Sequence, residues 1–219
     1  MTQTPIVIAI DGPAASGKGT IAKRLAADLD FAFMDTGALY RLTGWDVLQT
    51  GGDPGVEEDA LASALWLQEH FTPEMTEDPD IRNAAAGNAA SQVGFFPSVR
   101  QALYDLQVEF AAHPPGGKKG AVLDGRDIGT VICPQATVKL YVTASTEVRA
   151  ERRTKELQGK GFPVSYDEIL ADMKIRDARD SERAAAPLKP ADDAILIDTT
   201  TLTAEEAFVQ AYEVVRGKL

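Results

Sequence analysis

Soft metal ligands are nearly absent: the chain has one cysteine, Cys133, and two histidines, His70 and His113. A lone cysteine excludes an internal disulfide, and the three side chains make a poor set for a zinc site. Basic residues are outnumbered, 22 against 33 acids. The formal net charge of -11 at pH 7 repels nucleic-acid polymers and anionic membrane surfaces at long range. Any phosphate must therefore be held by local basic clusters. No apolar run approaches the roughly 18 residues needed to cross a bilayer. The start "MTQTPIVIAIDG" has neither a basic n-region nor a small-residue cleavage site, and no internal repeat or low-complexity tract is visible. These absences predict a soluble, unprocessed protein of the reducing cytoplasm, with neither nucleic acid nor membrane as partner.

What is present is a core. At 219 residues and 44 % hydrophobic content, the chain suits one α/β domain with appended segments. Apolar, β-branched runs at Pro5–Asp11, Phe31–Met34, Ala121–Asp124, Val138–Val142 and Ala194–Asp198 alternate with helical patterns. That alternation predicts an α/β fold, a five-stranded parallel sheet flanked by helices, with the first run as a central strand. Ala204, Ala207, Phe208, Ala211, Tyr212 and Val215 form one stripe after Thr203, a candidate N-cap, and mark a closing helix. Between Gly51 and Pro97 turn formers, acids and alanines weaken the pattern, which reads as an insertion carrying a helix near Glu57–His70. "LQGKGFPVS", Leu157–Ser165, separates two charged helices and reads as a mobile tip. Trp45, Trp66 and Cys133 read as packing residues.

The glycine-rich stretch "DGPAASGKGT", Asp11–Thr20, lies between the first strand and a helix whose apolar face is Ile21, Ala22, Leu25, Ala26 and Leu29. This is the context of a phosphate loop: inward backbone N–H groups and a helix N-terminus hold anions, and Lys18 reaches the β- and γ-phosphates. Gly12, Pro13, Ala14, Ala15, Ser16, Gly17, Lys18, Gly19 and Thr20 are the expected ATP-binding residues. Gly19 occupies the place where a hydroxyl residue normally follows the lysine. "GPAASGKGT" resembles the loop of nucleoside monophosphate kinases, in which the hydroxyl moves one place on, here to Thr20, toward phosphate oxygens or the metal's water shell.

Three further constellations follow. In "DTGALYR", Asp35–Arg41, Thr36 is placed as an N-cap or ligand donor. "DGRDIGT", Asp124–Thr130, crowds Asp124, Arg126, Asp127 and Thr130 into a turn at a strand's C-terminal end, where ligands of parallel sheets collect. Asp124 can orient Mg²⁺ through water, and Arg126 offers a planar fork to phosphate. In "KIRDARDSER", Lys174–Arg183, Arg176, Arg179 and Arg183 share one helix face. With Asp177, Asp180 and Glu182 interleaved, that row is either a solvated salt-bridge face or a set of arginines for phosphate. Its place just after the glycine-marked tip favours the second.

Together "GPAASGKGT", "MDTGALYR", "NAASQVGFFPSVRQAL", "DGRDIGTVICPQA" and "RDARDSERAAAPLKPA" resemble the bacterial cytidylate kinase family over nearly the whole chain. The resemblance implies a P-loop kinase fold, with a monophosphate-binding region at about 36–100 that includes the insertion, and a short lid at about 152–183. It implies transfer of the γ-phosphoryl group of ATP, with Mg²⁺, to CMP or dCMP by a monomer. Lys18, Arg126, Arg176 and Arg183 would act on the transferring group. Thr36, Arg41, Ser91, Arg100, Arg126, Asp127, Arg176, Asp180 and Arg183 would bind the acceptor, and Asp124, with Thr20, would serve the metal. Cytosine offers an amino donor and two acceptors, so its pocket needs a carboxylate and donors; the resemblance puts Asp127, Arg100 and Ser91 there. The rivals are a kinase for UMP, AMP or a small metabolite, and a noncatalytic nucleotide-binding regulator.

Overall fold

A computed structural model describes residues 4–219. The reading of the amino terminus as unprocessed concerns in part residues 1–3, which lie outside the described residues. Five parallel strands, β1 (Ile6–Asp11), β2 (Ala32–Asp35), β3 (Gly120–Gly125), β4 (Val138–Thr143) and β5 (Ile195–Asp198), form one sheet in the order β2-β3-β1-β4-β5. The expected central strand is β1. Among the described residues, no helix is long and apolar enough to cross a membrane.

The three inner strands, β1, β3 and β4, bury both faces over most of their length, which is why their sequences read as continuous apolar runs, whereas the edge strand β5 leaves Leu196 exposed. Ile8, Ile10, Val122, Leu140, Val142 and Ile197 pack under α1 (Lys18–Leu29) and α8 (Ala204–Arg216), meeting Ile21, Leu25, Phe208, Ala211 and Val215. Thr203 caps α8 through a full capping box with Glu206, as its sequence predicts. On the opposite face, Ala9, Ala121 and Leu123 meet side chains of α2 (Thr36–Gln49), α3 (Glu57–His70) and α5 (Pro97–Ala112), including Leu39, Leu67, Val99 and Leu103.

The weakly patterned insertion resolves into α3, two short 3₁₀ turns at Pro73–Glu77 and Pro79–Arg82, and α4 (Ala84–Val93), capped by Asn83. Helix α4 is made of small residues because it lies tight against α2; a Cβ on Gly44 would come within 2.7 Å of Ala89. Helices α6 (Thr146–Gly159) and α7 (Tyr166–Glu182) form a hairpin around a small core of its own: Ala150, Leu157, Ile169 and Met173, with Ala15 of the glycine-rich loop against it. Trp66 departs from its packing assignment. It is 47 % exposed and stacks on His70 one helical turn away.

Candidate active site

Strand register decides which acids meet. Side chains alternate along a strand, so Asp35 and Asp124, paired in register on β2 and β3, point to one face of the sheet, that of α1. Asp11, next to Ile10 on β1, points to the other. There its carboxylate accepts N–H bonds of 2.8 Å from both Ile128 and Gly129 and fixes the turn after β3. Burial raises Asp11 to about 6 despite those two bonds.

The loop after β1 needs its glycines. Gly12 has φ +152°, and a Cβ there would strike the Val142 carbonyl oxygen at 1.9 Å. Ala15 and Gly17 are also left-handed, and no side chain caps α1, so the helix's first N–H groups face outward as an anion nest. Two outside groups hold the loop from behind: Thr199 Oγ1 donates to the Ser16 carbonyl at 2.8 Å and Arg149 Nη1 to the Ala14 carbonyl at 3.3 Å. The Ser16 hydroxyl is buried without a partner among the described residues, an orphan that a ligand oxygen would satisfy.

Lys18, Gly19, Asp35, Arg41, Arg82, Asp124, Arg126 and Arg153 line a cavity of about 240 Å³ beside the loop. Burial, then neighbouring Arg126, lowers Lys18 to about 8, and burial with the charge of Asp35 raises Asp124 to about 7. The Asp124 carboxylate takes no hydrogen bond among the described residues. It faces Gly19, whose added Cβ would stand 3.0 Å from Asp124 Oδ2. A hard, underused carboxylate beside a phosphate loop fits Mg²⁺, which takes one or two carboxylates and otherwise keeps phosphate and water. Among the described residues no group of three or more His, Cys, Asp or Glu side chains could hold a metal alone. Thr20 is not brought to Asp124. It is exposed on the opposite side of the loop, in a cavity of about 290 Å³ lined also by Gly17, Ile21, Arg152, Thr199, Leu202 and Thr203.

Arginines crowd the Lys18 cavity. Burial, with Arg176 and Arg153 nearby, lowers Arg41 to about 9, and burial with Arg126 lowers Arg176 to about 10. Such strain among cations is what a bound polyanion relieves. Arg82 and Arg153 were not legible as site residues. Arg82 donates to Asp35 Oδ2 at 2.8 Å, and Arg153 donates to the Arg82 carbonyl at 3.1 Å. Burial opposes charge on Asp35, yet Arg82, Lys18 and Arg41 hold its carboxyl below the usual range. Arg82 lies in the insertion and Arg153 on α6, so only tertiary structure joins them to Lys18. Asp35, not Thr36, caps α2, accepting from Ala38 N at 3.2 Å; Thr36 instead donates to the Asp124 carbonyl at 2.7 Å, because the preceding aspartate already occupies the cap position.

A second pocket opens on the other side of Arg126. It is lined by Thr36, Tyr40, Ser91, Arg100, Arg126, Asp127, Arg176, Asp180 and Arg183. Arg100 pairs with Asp127, both buried, and lies over the Tyr40 ring. Asp180 gathers three guanidiniums: Arg126 at 3.0 Å, Arg176 at 3.9 Å and Arg183 at 4.0 Å. These arginines hold its carboxyl below the usual range against the cost of burial. The interleaved acids thus orient the arginine row; Asp177 turns away to grip Arg149 at 2.6 Å. Arg183 ends α7 among Arg100, Asp127 and Tyr40 and is not brought to the Lys18 cavity. Cys133 is half-buried against the second core, and burial pushes its thiol up to about 11.

A sequence profile described as cytidylate kinase matches residues 8–216. The chain is 54 % identical to a cytidylate kinase of Rhodospirillum rubrum over 97 % of its own length and 98 % of the relative's. It is 52 % identical to one of Caulobacter sp. K31, over 95 % and 93 %. Among solved structures, an uncharacterised protein of Eubacterium ventriosum superposes with TM-score 0.52 at 14 % identity, covering 96 % of this chain and 98 % of that one. A sugar kinase of Janibacter sp. HTCC2649 gives 0.50 at 15 % identity, covering 97 % and 95 %. Those two likenesses concern the fold.

Proposed function

The chain belongs to the cytidylate kinase family, and from that premise we propose how its two pockets transfer the γ-phosphoryl group of ATP to CMP or dCMP. It is an ATP-dependent nucleoside monophosphate kinase. The observation that carries the assignment of sides is the position of Arg126, which lines both the Lys18 cavity and the Arg100–Asp127 pocket. A phosphate chain running between the pockets passes that guanidinium.

ATP lies with its triphosphate on Gly12–Thr20 and Lys18, and its adenine extends toward Arg152, Leu202 and Thr203 in the cavity beyond Thr20. The acceptor's base enters the second pocket. Asp127 accepts from the cytosine amino group while Arg100 and Ser91 donate to the ring acceptors. Arg183 backs that pair, and Asp180 stands near the sugar. Arg41 and Arg126 grip the acceptor phosphate, and Arg176 faces both nucleotides.

An oxygen of the acceptor phosphate attacks the γ-phosphorus in line, and ADP leaves. No protein nucleophile is required, so the side chains align two polyanions and offset their repulsion. Asp124, through water, and the loop would hold Mg²⁺. Bound there, the ion would neutralise charge on the β- and γ-oxygens. The monophosphate-binding region at about 36–100, with its insertion, and the lid at about 152–183, within the α6–α7 hairpin, close over the nucleotides and exclude water. The scarcity of cysteine and the absence of a membrane-crossing helix among the described residues support a cytoplasmic enzyme, and a monomer is the proposed working unit.

A monophosphate panel in an ADP-release assay tests the reading. CMP and dCMP are expected to be the preferred acceptors, with UMP weak. Acceptor-independent ADP release, or a preference for UMP or AMP, overturns it. Asp127→Ala is expected to erode the CMP-to-UMP preference more than Lys18→Ala does.

A further inference from the structure

Arg179 is the member of the arginine row that the two pockets leave unused. It forms no ion pair among the described residues, and its side-chain partner is a neutral hydroxyl: Nη1 donates to Ser91 Oγ at 3.0 Å, bridging α7 to α4. Ser91 is 5 % exposed and lines the pocket that holds Arg100 and Asp127. Other helical hydroxyls in this chain have acceptors within the protein: Thr43 donates to the Leu39 carbonyl, Thr154 to that of Ala150 and Ser181 to that of Asp177, one turn back, and Ser63 to the Thr43 carbonyl of a neighbouring helix. Ser91 makes no such bond among the described residues. Its oxygen accepts from Arg179, and its proton has no acceptor among the described residues.

We propose that Arg179 is a positioning residue that fixes the Ser91 hydroxyl as a donor toward the acceptor's base and so contributes to the choice of cytosine over uracil. The inference rests on the base-pocket reading above. A free hydroxyl can donate or accept and adapts to either base; a guanidinium only donates. With Arg179 on the oxygen, the hydroxyl proton is turned from the guanidinium into the pocket, and the adjacent positive charge strengthens it as a donor. Cytosine presents a bare ring nitrogen at N3. Uracil presents an N–H there, which meets a second donor and leaves both unpaired, and a buried mismatch of that kind is what such sites reject.

The experiment compares kcat/KM for CMP and UMP in Arg179→Met, Arg179→Lys, Ser91→Ala, the Ser91→Ala/Arg179→Met double variant, and Asp127→Asn. Arg179→Met is expected to lower the CMP-to-UMP ratio about fivefold, the worth of one hydrogen bond, with KM for ATP unchanged. Arg179→Lys, which keeps a donor, restores part of it, and in the Ser91→Ala background Arg179→Met moves the ratio no further. An unchanged ratio in Arg179→Met overturns the proposal. So does an equal fall in the Ser91→Ala background, the behaviour of a plain latch between α7 and α4. If Asp127→Asn lowers the ratio and Arg179→Met does not, the base pocket stands and the role of Arg179 falls. If neither variant moves it, the base-pocket reading itself falls.

Discussion

Gly19 stands where a hydroxyl residue commonly follows the loop lysine, and its reason lies across the sheet edge at Asp124. A Cβ at Gly19 would press on Asp124 Oδ2 at 3.0 Å, so the glycine keeps open the space between carboxylate and loop. Restoring the common pattern with Gly19→Ser should therefore harm the enzyme. We expect kcat/KM for ATP to fall about tenfold and the Mg²⁺ requirement to rise. Stability should hold or improve, since serine is the better helix former. A Mg²⁺ titration of initial rates with parallel thermal melts checks this; undiminished activity would show that the space is idle. Asp11 gives a pH test. Its carboxyl rises from 3.8 to about 6 on folding, so the stability it contributes is full below about pH 4 and is lost as pH rises through 6. Relative to Asp11→Asn, the native chain should lose stability between those values and run parallel to the variant above pH 7, as followed by urea unfolding across pH. The loop's residues were readable because their spacing is local. Asp11 was not, because its partners Ile128 and Gly129 are distant in sequence and joined to it only by β1–β3 pairing.

The α6–α7 hairpin was legible as two charged helices around a glycine break, and what orients it was not. Arg149 spends its guanidinium on the Ala144 and Ala14 carbonyls, Thr146 Oγ1 and both carboxylate oxygens of Asp177. The phosphate loop and α7 are thus held by one side chain. That fork geometry is specific to arginine. Arg149→Lys keeps the charge and loses the fork. Discounted for the 26 % exposure of the Asp177 side chain, it should cost roughly 2–3 kcal/mol, a fall in Tm of about 5–10 °C for a chain of this size. KM for ATP should rise more than KM for CMP, because the loop lies on the ATP side. Equal effects on both substrates would mean that the hairpin, not the loop, depends on Arg149. In sequence the row Arg176, Arg179 and Arg183 was ambiguous with a solvated face. The fold resolves it by turning Asp180 inward to three arginines and Asp177 outward to Arg149.

At the scale of the whole molecule, the parallel sheet was readable because strands covered on both faces carry uninterrupted apolar runs, and its strand ends then collect the site. The insertion resisted reading for the converse reason: α4 is alanine and glycine packed against α2, so no apolar period betrays it. Yet the insertion supplies Arg82 to the Lys18 cavity, where it pairs with Asp35, and α6 supplies Arg153, while α7 supplies Arg176 to the second pocket beside it. Three separate segments therefore line the two adjoining cavities, and a ligand that spans both should engage all of them together. A bisubstrate compound joining adenosine to cytidine through a phosphate chain should stabilise the protein more than ADP and CMP supplied together. At about a thousandfold excess over Kd, mass action gives ~4 kcal/mol, a rise in Tm of roughly 8–16 °C. Arg126→Met should remove most of the extra stabilisation while leaving the shift from ADP alone nearly intact, because Arg126 is the side chain common to both pockets. Thermal melts of the native chain and this variant check it. A bisubstrate shift no larger than that of the separate nucleotides would mean that the pockets do not share one phosphate path.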